Sequence, residues 1–195
     1  MDLFLVICMG IGLAAAAGIR PFLPAMLAGA LASAGAGLDF DGTNFLFLQD
    51  PAWLIIVVAA LAAVVGYERR RPDAFDTGTL GACLAGVSIG LGGLLFAASL
   101  DDLHYVWWPG LLGGIACAAL ANTVTRGFFA RASSRLDPDS RSAMAVYKDG
   151  ASLLVAALAI GLPPVSLVVL AALGWMWWRG RGRDDEKYAG LRILR

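Results

Sequence analysis

A long apolar stretch of the chain, from Met144 to Trp178, is divided near its middle by Pro163 and Pro164. Its two arms, 151–162 and 165–178, are 12 and 14 residues long, whereas a helix needs roughly 20 residues to cross a bilayer. Adjacent prolines remove backbone donors, so one regular helix cannot continue through them. The stretch therefore either crosses a membrane once as a kinked helix or enters it and folds back at the prolines.

The composition predicts a membrane protein. Hydrophobic residues make up 59% and charged residues 15% of a chain of 195 residues, which is more apolar surface than a soluble core of this size can bury. Within a bilayer the backbone must satisfy its own hydrogen bonds, which favours an all-α bundle. No Lys or Arg precedes the first apolar run, so we expect that segment to be retained rather than cleaved as a signal peptide.

The apolar residues fall into one transmembrane domain, 1–178, followed by a basic tail, 179–195. Within the first segment, Pro21 and Pro24 interrupt the helical pattern. We therefore predict a polytopic bundle of three regular spans and two elements that are broken by proline or re-entrant. The predicted segments are 3–36 (broken), 52–67, 79–100, 106–125 and 151–178 (broken).

Loop charges predict the orientation of this bundle. Cytoplasmic loops are rich in Lys and Arg, so the basic stretches belong inside and the Lys- and Arg-free acidic stretches belong outside. The fifth segment then begins and ends on the cytoplasmic side, which favours a fold-back at its prolines over a kinked span. The side of the N-terminus depends in the same way on whether the first segment folds back. The basic stretches are 68–77, 126–149 and 179–195; the acidic ones are 37–50 and 101–105.

Arg20 lies inside the first proline break, away from the other basic residues, which sit in loops or the tail. An ionisable side chain within a membrane segment is costly and is by default a candidate for function. It could pair with a carboxylate such as Asp76 or Asp149, receive an anionic headgroup, or reach out to the interface. Lys148 and Asp149 could likewise cap the following helix or form a charge pair beside the fold-back.

Three carboxylates lie where the second segment meets the third, in the pattern E-x4-D-x2-D formed by Glu68, Asp73 and Asp76. They could converge on a hard cation or on the headgroup of a phosphate-bearing lipid through a metal. In the alternative, Asp76 caps the third helix and Glu68 pairs with the neighbouring arginines. The pattern has no histidine or cysteine beside it, and we predict no resident metal, no cofactor and no catalytic residue.

Gly86 and Gly90 form a GxxxG pattern in the third segment, which is typical of close contact between membrane helices. Such faces predict a homo-oligomer or a partner within a membrane complex. The basic tail follows a tryptophan-rich segment, so we expect it to contact anionic lipids of the inner leaflet rather than nucleic acid. The expected location is the inner membrane of a bacterium, with a cytoplasmic C-terminal tail.

Three motifs together resemble a bacterial family of small polytopic membrane proteins, the domain of unknown function four-one-two-six. They are GIRPFLPAMLAG at 18–29, YERRRPDAFD at 67–76 and VYKDGASLLVAALAIGLPP at 146–164. The resemblance covers nearly the whole chain, although the arginine run at 69–71 departs from the lysine pattern more usual at this junction. It implies a membrane protein of this class and no particular reaction.

Three functions remain open on these observations. The first is a small transporter or channel-like protein for a small solute or lipid, the second a non-catalytic accessory or scaffold subunit of a membrane complex. The third, a lipid-phosphate enzyme, lacks a nucleophile and a general base that can be named. For the first function, the residues expected near the pathway are Arg20, Glu68, Asp73, Asp76 and Asp149.

Overall fold

A computed structural model describes residues 2–70, 79–102, 105–133 and 138–189 of the chain. Within these ranges the regular structure is entirely helical, which confirms the predicted all-α class. A short 3-10 turn, Leu46–Gln49, lies between the second and third helices. The helices are α1 Leu3–Ile19, α2 Phe22–Ser33, α3 Pro51–Arg70, α4 Thr79–Asp101, α5 Trp108–Ser133, α6 Pro138–Gly161 and α7 Val165–Ala189.

Four of these helices are long and apolar enough to cross a membrane, and the protein is a multi-pass membrane protein. The apolar parts of α1, α2 and α7 are shorter. The four candidate spans are Pro51–Glu68, Thr79–Asp101, Trp108–Phe129 and Met144–Gly161.

The helices extend beyond the apolar segments that mark them in the sequence. Helix α5 continues to Ser133 and α6 already begins at Pro138, so much of the predicted loop 126–149 is helical. Helix α7 continues to Ala189, into the predicted tail. Arg, Lys and Ala are strong helix formers whatever their polarity, so hydropathy marks the membrane boundary and not the end of the helix.

Both predicted proline breaks are present. Helix α1 ends one residue before Arg20, and Pro21 occupies the N-cap of α2 with φ −65°. At the second break, Leu162 donates its backbone N–H to α6, and Val165 donates to Leu162. Each break thus falls where proline has no N–H to donate to the preceding turn.

The chain reverses direction between α6 and α7. Ser152 in α6 contacts the last turn of α1, whereas Ser166, just beyond the two prolines, packs on Gly12 near the middle of α1. Further along α7, Leu173 joins an apolar cluster with Ala15. The chain has therefore turned back towards the C-terminal end of α1, which Ser152 of α6 also contacts. Helix α1 packs against both arms, which contact each other much less.

The chain reverses again between α1 and α2. Asp101 at the end of α4 accepts hydrogen bonds from the backbone and side-chain amides of Asn44, at 2.7 Å and 3.1 Å. The C-terminal half of α2 also lies at this end of the bundle, because Gly29 packs on the backbone of Leu48, four residues after Asn44. Helix α6 contacts both α1 and α2, and α1 contacts both α6 and α7. One helix of each broken element therefore packs against both helices of the other. Whether either element is re-entrant in a bilayer stays a prediction.

Glycine lets α4 and α5 approach closely beside α1. A β-carbon added to Gly114 would lie 2.5 Å from the carbonyl oxygen of Gly92, and one added to Gly92 would lie 2.5 Å from the β-carbon of Ala118. In contrast, a β-carbon at Gly86 or Gly90 would meet nothing within 4 Å. The GxxxG pair singled out from the sequence therefore packs against nothing within the described chain, and its contact with another molecule stays a prediction.

Candidate functional site

Arg20 joins three helices at the first break. Its Nη2 donates a hydrogen bond to Glu68 Oε2 at the end of α3, over 2.8 Å, and its Nε lies 2.7 Å from Asp149 Oδ1 in α6. The three side chains are 11%, 16% and 30% exposed, in the order Arg20, Glu68, Asp149. One guanidinium thus holds two carboxylates from helices that are far apart in the sequence.

Side chains of three other helices donate hydrogen bonds to the backbone carbonyls at the end of α1. Proline at position 21 has no N–H for the carbonyl of Ala17, and the Ser88 hydroxyl of α4 donates to that oxygen instead. Asn122 Nδ2 of α5 donates to the carbonyl of Gly18 over 3.1 Å. Ser152 Oγ of α6 donates to the carbonyl of Ala16 over 3.0 Å. The carbonyls of Ala17 and Gly18 thus gain donors in an apolar environment, whereas the carbonyl of Ala16 also accepts the backbone N–H of Arg20.

The end of α1 suits a cation. Aligned peptide dipoles place partial negative charge at the C-terminus of a helix, and Arg20 follows the last residue of α1 directly. The arginine thus meets two carboxylates and a helix C-terminus together. Since the three side chains alone carry a net charge of one negative unit, further cations nearby would balance the site.

Two such cations line a cavity of about 70 Å³ beside the break. Arg126 and Lys148 face it together with Arg20, and Glu68 is the acidic residue in its lining. The space is enough for a few waters or for one compact ligand. The uncharged polar residues of the lining are Ser88, Asn122 and Thr125.

Contacts outside the cavity position both additional cations. The guanidinium of Arg126 donates to the carbonyl of Gly81 at the start of α4. Lys148 Nζ lies 4.9 Å from the centroid of the Phe129 ring, as in a cation–π contact. In the sequence Arg126 looks like an ordinary basic loop residue, because α5 extends beyond its apolar segment, and Lys148 stands out only as a possible cap or as the partner of Asp149.

Of the five residues predicted near a pathway, three come together: Arg20, Glu68 and Asp149. Asp149 is one of the two carboxylates expected as a partner of Arg20. Asp73 and Asp76 lie outside the described residues. Within the parts of the chain that the structure describes, no three His, Cys, Asp or Glu side chains form a group that could hold a metal. The role of the three residues in a pathway stays a prediction.

Sequence reasoning missed the polar side chains that complete α1. Ser88, Asn122 and Ser152 each lie within a candidate membrane span, on the side that faces α1. A polar residue within a membrane span is the signal that could have identified them, because it needs a partner in the same apolar environment. Their common target, however, is visible only in three dimensions.

We expect Ser88→Ala to lower the free energy of unfolding by about 1–3 kcal/mol, since it leaves the buried carbonyl of Ala17 without a donor. Ser99→Ala is a matched control on the same helix. Ser99 is also buried, but its hydroxyl donates to Leu95 within α4, where the helix itself supplies a backbone donor. Thermal and denaturant unfolding in detergent micelles would measure both variants. Equal losses at the two serines would contradict the special role of Ser88.

Comparison with known proteins gives one match. A family model described as "Domain of unknown function (DUF4126)" matches residues 7–182. No curated protein and no solved structure matches the chain.

Proposed function

Since the chain belongs to the DUF4126 family, as its motifs predicted, and the family's description names no activity, we propose a function from the chain's own geometry. The protein is a small transporter or channel-like protein, with Arg20, Glu68 and Asp149 beside its pathway. The observation that carries this proposal is a broken helix whose terminal carbonyls and buried arginine meet a polar cavity among four other helices.

The energetics of the ion pairs support a functional role. Taking charges out of water costs several kcal/mol per ion, and replacing a buried ion pair by apolar residues is often neutral or stabilising. Stability alone therefore gives weak reason for two carboxylates and a guanidinium inside an apolar bundle. Ionisable groups in such positions usually belong to a substrate or ion pathway.

The arrangement of the broken helices supports the same function. Many transporters bind their substrates where discontinuous helices end, because free backbone groups are available there without exposure to lipid. In this protein, α1 and α2 meet at the Arg20 end of the bundle, whereas α6 and α7 meet closer to the other end. The two broken elements thus enter the bundle from opposite ends, which is the arrangement that such transporters use.

The orientation is part of the proposal. At the Arg20 end of the bundle lie Arg126 and Lys148, which belong to one of the basic stretches, so this end faces the cytoplasm of a bacterial inner membrane, and its arginines contact anionic lipids. Single cysteines at Ser142 and Tyr188 test this orientation and the fold-back at the two prolines. We expect a membrane-impermeant thiol reagent to label both positions from the cytoplasmic side. Labelling of the two positions from opposite sides would contradict the fold-back.

Solute flux tests the function directly. The full-length chain is reconstituted in liposomes, and stopped-flow light scattering follows osmotic relaxation in gradients of sodium phosphate, sodium glutamate and glycerol. We expect the relaxation with at least one solute to be faster than in protein-free liposomes, and Arg20→Gln to abolish the difference. Relaxation at the protein-free rate with every solute would reject transport of these solute types and favour a non-catalytic scaffold.

One observation favours the scaffold as a second candidate. The surface around Gly86 and Gly90 on α4 is open, whereas the glycines that pack within the chain lie elsewhere. An exposed helix surface formed by small residues suits close contact with a second copy or with another membrane subunit. Under this alternative, Gly90→Leu disrupts assembly and leaves the fold of the single chain intact.

A further inference from the structure

We propose that the cavity beside Arg20 binds a compact oxyanion, a phosphate or a phosphate ester, and that Glu68 competes with this ligand for Arg20. The inference rests on the proposed transport function and deepens it by naming the class of substrate. It is independent of transport in one respect, because binding to the cavity can be measured without flux.

The charges around the cavity select an anion. Arg20, Arg126 and Lys148 line it, against one lining carboxylate, Glu68. Asp149 neutralises part of the charge of Arg20 and is not part of the lining. Three cationic side chains thus face one carboxylate in the lining. With Asp149 counted, these five side chains carry a net charge of one positive unit, in an environment where ionic interactions are screened less than in water.

The lining also has donors that suit phosphate. Guanidinium groups match phosphate oxygens with paired N–H donors, and an ammonium group adds a point charge. The Thr125 hydroxyl and the Asn122 amide stand beside them in the same cavity. A volume of about 70 Å³ admits a compact group rather than a large metabolite, so any ester substituent must extend out of the cavity.

Glu68 gives the site a built-in competitor. Its Oε2 occupies one side of the Arg20 guanidinium, 2.8 Å from Nη2, where a ligand oxygen would bind. Helix α3, which carries Glu68, packs mainly against α2 and the turn at 46–49. Displacement of Glu68 therefore releases the end of a peripheral helix without opening the packing around α1.

The role of Glu68 allows one variant to distinguish an anion site from a cation site. If the ligand is an anion, Glu68→Gln removes a competitor and a repulsive charge, and affinity rises. If the ligand is a cation, the same variant removes a ligand group, and affinity falls. The direction of the change decides between the two.

Isothermal titration calorimetry of the full-length protein in detergent would measure binding of inorganic phosphate, with chloride as the comparison anion. A second arm uses nanodiscs of phosphatidylcholine with and without phosphatidic acid, whose headgroup is a phosphate monoester. We expect saturable binding in at least one arm. Arg126→Gln and Lys148→Gln should each weaken it about tenfold, and Glu68→Gln should tighten it about tenfold.

Arg179→Gln is the matched control, because Arg179 lies on α7, contacts Trp175 and is outside the cavity lining. Its affinity for inorganic phosphate should remain that of the wild type. Arg126→Lys keeps the charge and should retain most of the affinity, which separates loss of binding from loss of folding. Phosphate binding alone identifies a free anion as the ligand, and binding restricted to phosphatidic acid identifies a lipid headgroup.

Absence of binding in both arms overturns the inference, as does equal weakening of inorganic phosphate binding by Arg179→Gln or a weaker affinity of Glu68→Gln. If binding occurs but no solute flux is found, transport fails and the anion site stands. If flux occurs without phosphate or headgroup binding, the anion site fails and transport stands.

Discussion

Replacement of Arg20 by alanine is expected to lower the free energy of unfolding by about 3–5 kcal/mol, because it leaves two carboxylates partly buried with no cation between them. Glu68 and Asp149 both lie within 2.8 Å of the guanidinium and would then face each other across the space that it vacates. Thermal and denaturant unfolding in detergent micelles would give the change in stability. The same variant should lose any solute flux that the wild-type protein supports.

Two further variants test whether charge causes this effect. The triple variant Arg20→Ala, Glu68→Gln, Asp149→Asn removes all three charges and should recover much of the lost stability, since no unpaired ion remains. Arg20→Lys keeps the charge but not the planar group that places Nη2 beside Glu68 and Nε beside Asp149, so its stability should lie between those of the wild type and Arg20→Ala. If the triple variant is as unstable as Arg20→Ala, lost packing rather than unpaired charge explains the result.

Replacement of Gly114 by leucine is expected to lower the free energy of unfolding by about 3 kcal/mol or more, because helix α5 cannot keep its contact with α4. A β-carbon at this position would lie 2.5 Å from the carbonyl oxygen of Gly92 and 2.8 Å from Cα of Gly93. Both atoms belong to the backbone, so no side chain can rotate away. Unfolding in detergent and resistance to protease would report the loss.

Gly90→Leu is the matched control on α4, the helix against which α5 packs. A side chain at position 90 enters open space, and leucine is a better helix former than glycine, so stability should stay equal or rise slightly. Size-exclusion chromatography with light scattering on the same samples would show whether this surface joins two chains. Strong destabilisation of the monomer by Gly90→Leu would show that α4 is oriented differently.

The contrast between these glycines shows one limit of the sequence. Gly110 and Gly114 form the same GxxxG spacing as Gly86 and Gly90, but only the first pair packs within the chain. Spacing places two residues on one face of a helix, whereas the rotation of that helix is set by its neighbours. A pattern within one helix therefore cannot tell which face is internal.

Features with a local cause could be predicted. The helix breaks follow from the missing N–H groups of proline, and Asp149 as one candidate partner of Arg20 follows from a charge inside an apolar run, which left a reach to the interface equally open. The partners of α1 have no such local cause. Ser88 and Asn122 contact the end of α1 because α4 and α5 lie beside it, and nothing in their own segments predicts this contact. The helical extension of α5 likewise hid Arg126 among the apparent loop charges, and the position of Lys148 beside the same cavity could not be read from its pairing with Asp149.

The buried position of α1 sets the order in which the protein can be assembled during its synthesis. Helix α1 leaves the ribosome before its partners, because the side chains that donate to its C-terminal carbonyls follow 71, 104 and 136 residues after their targets. Until α6 is made, the Ala16 carbonyl lacks its Ser152 partner, and Asp149 has not reached Arg20. Helix α1 therefore gains its last contacts long after its own synthesis, and the centre of the protein closes only once α6 has been made.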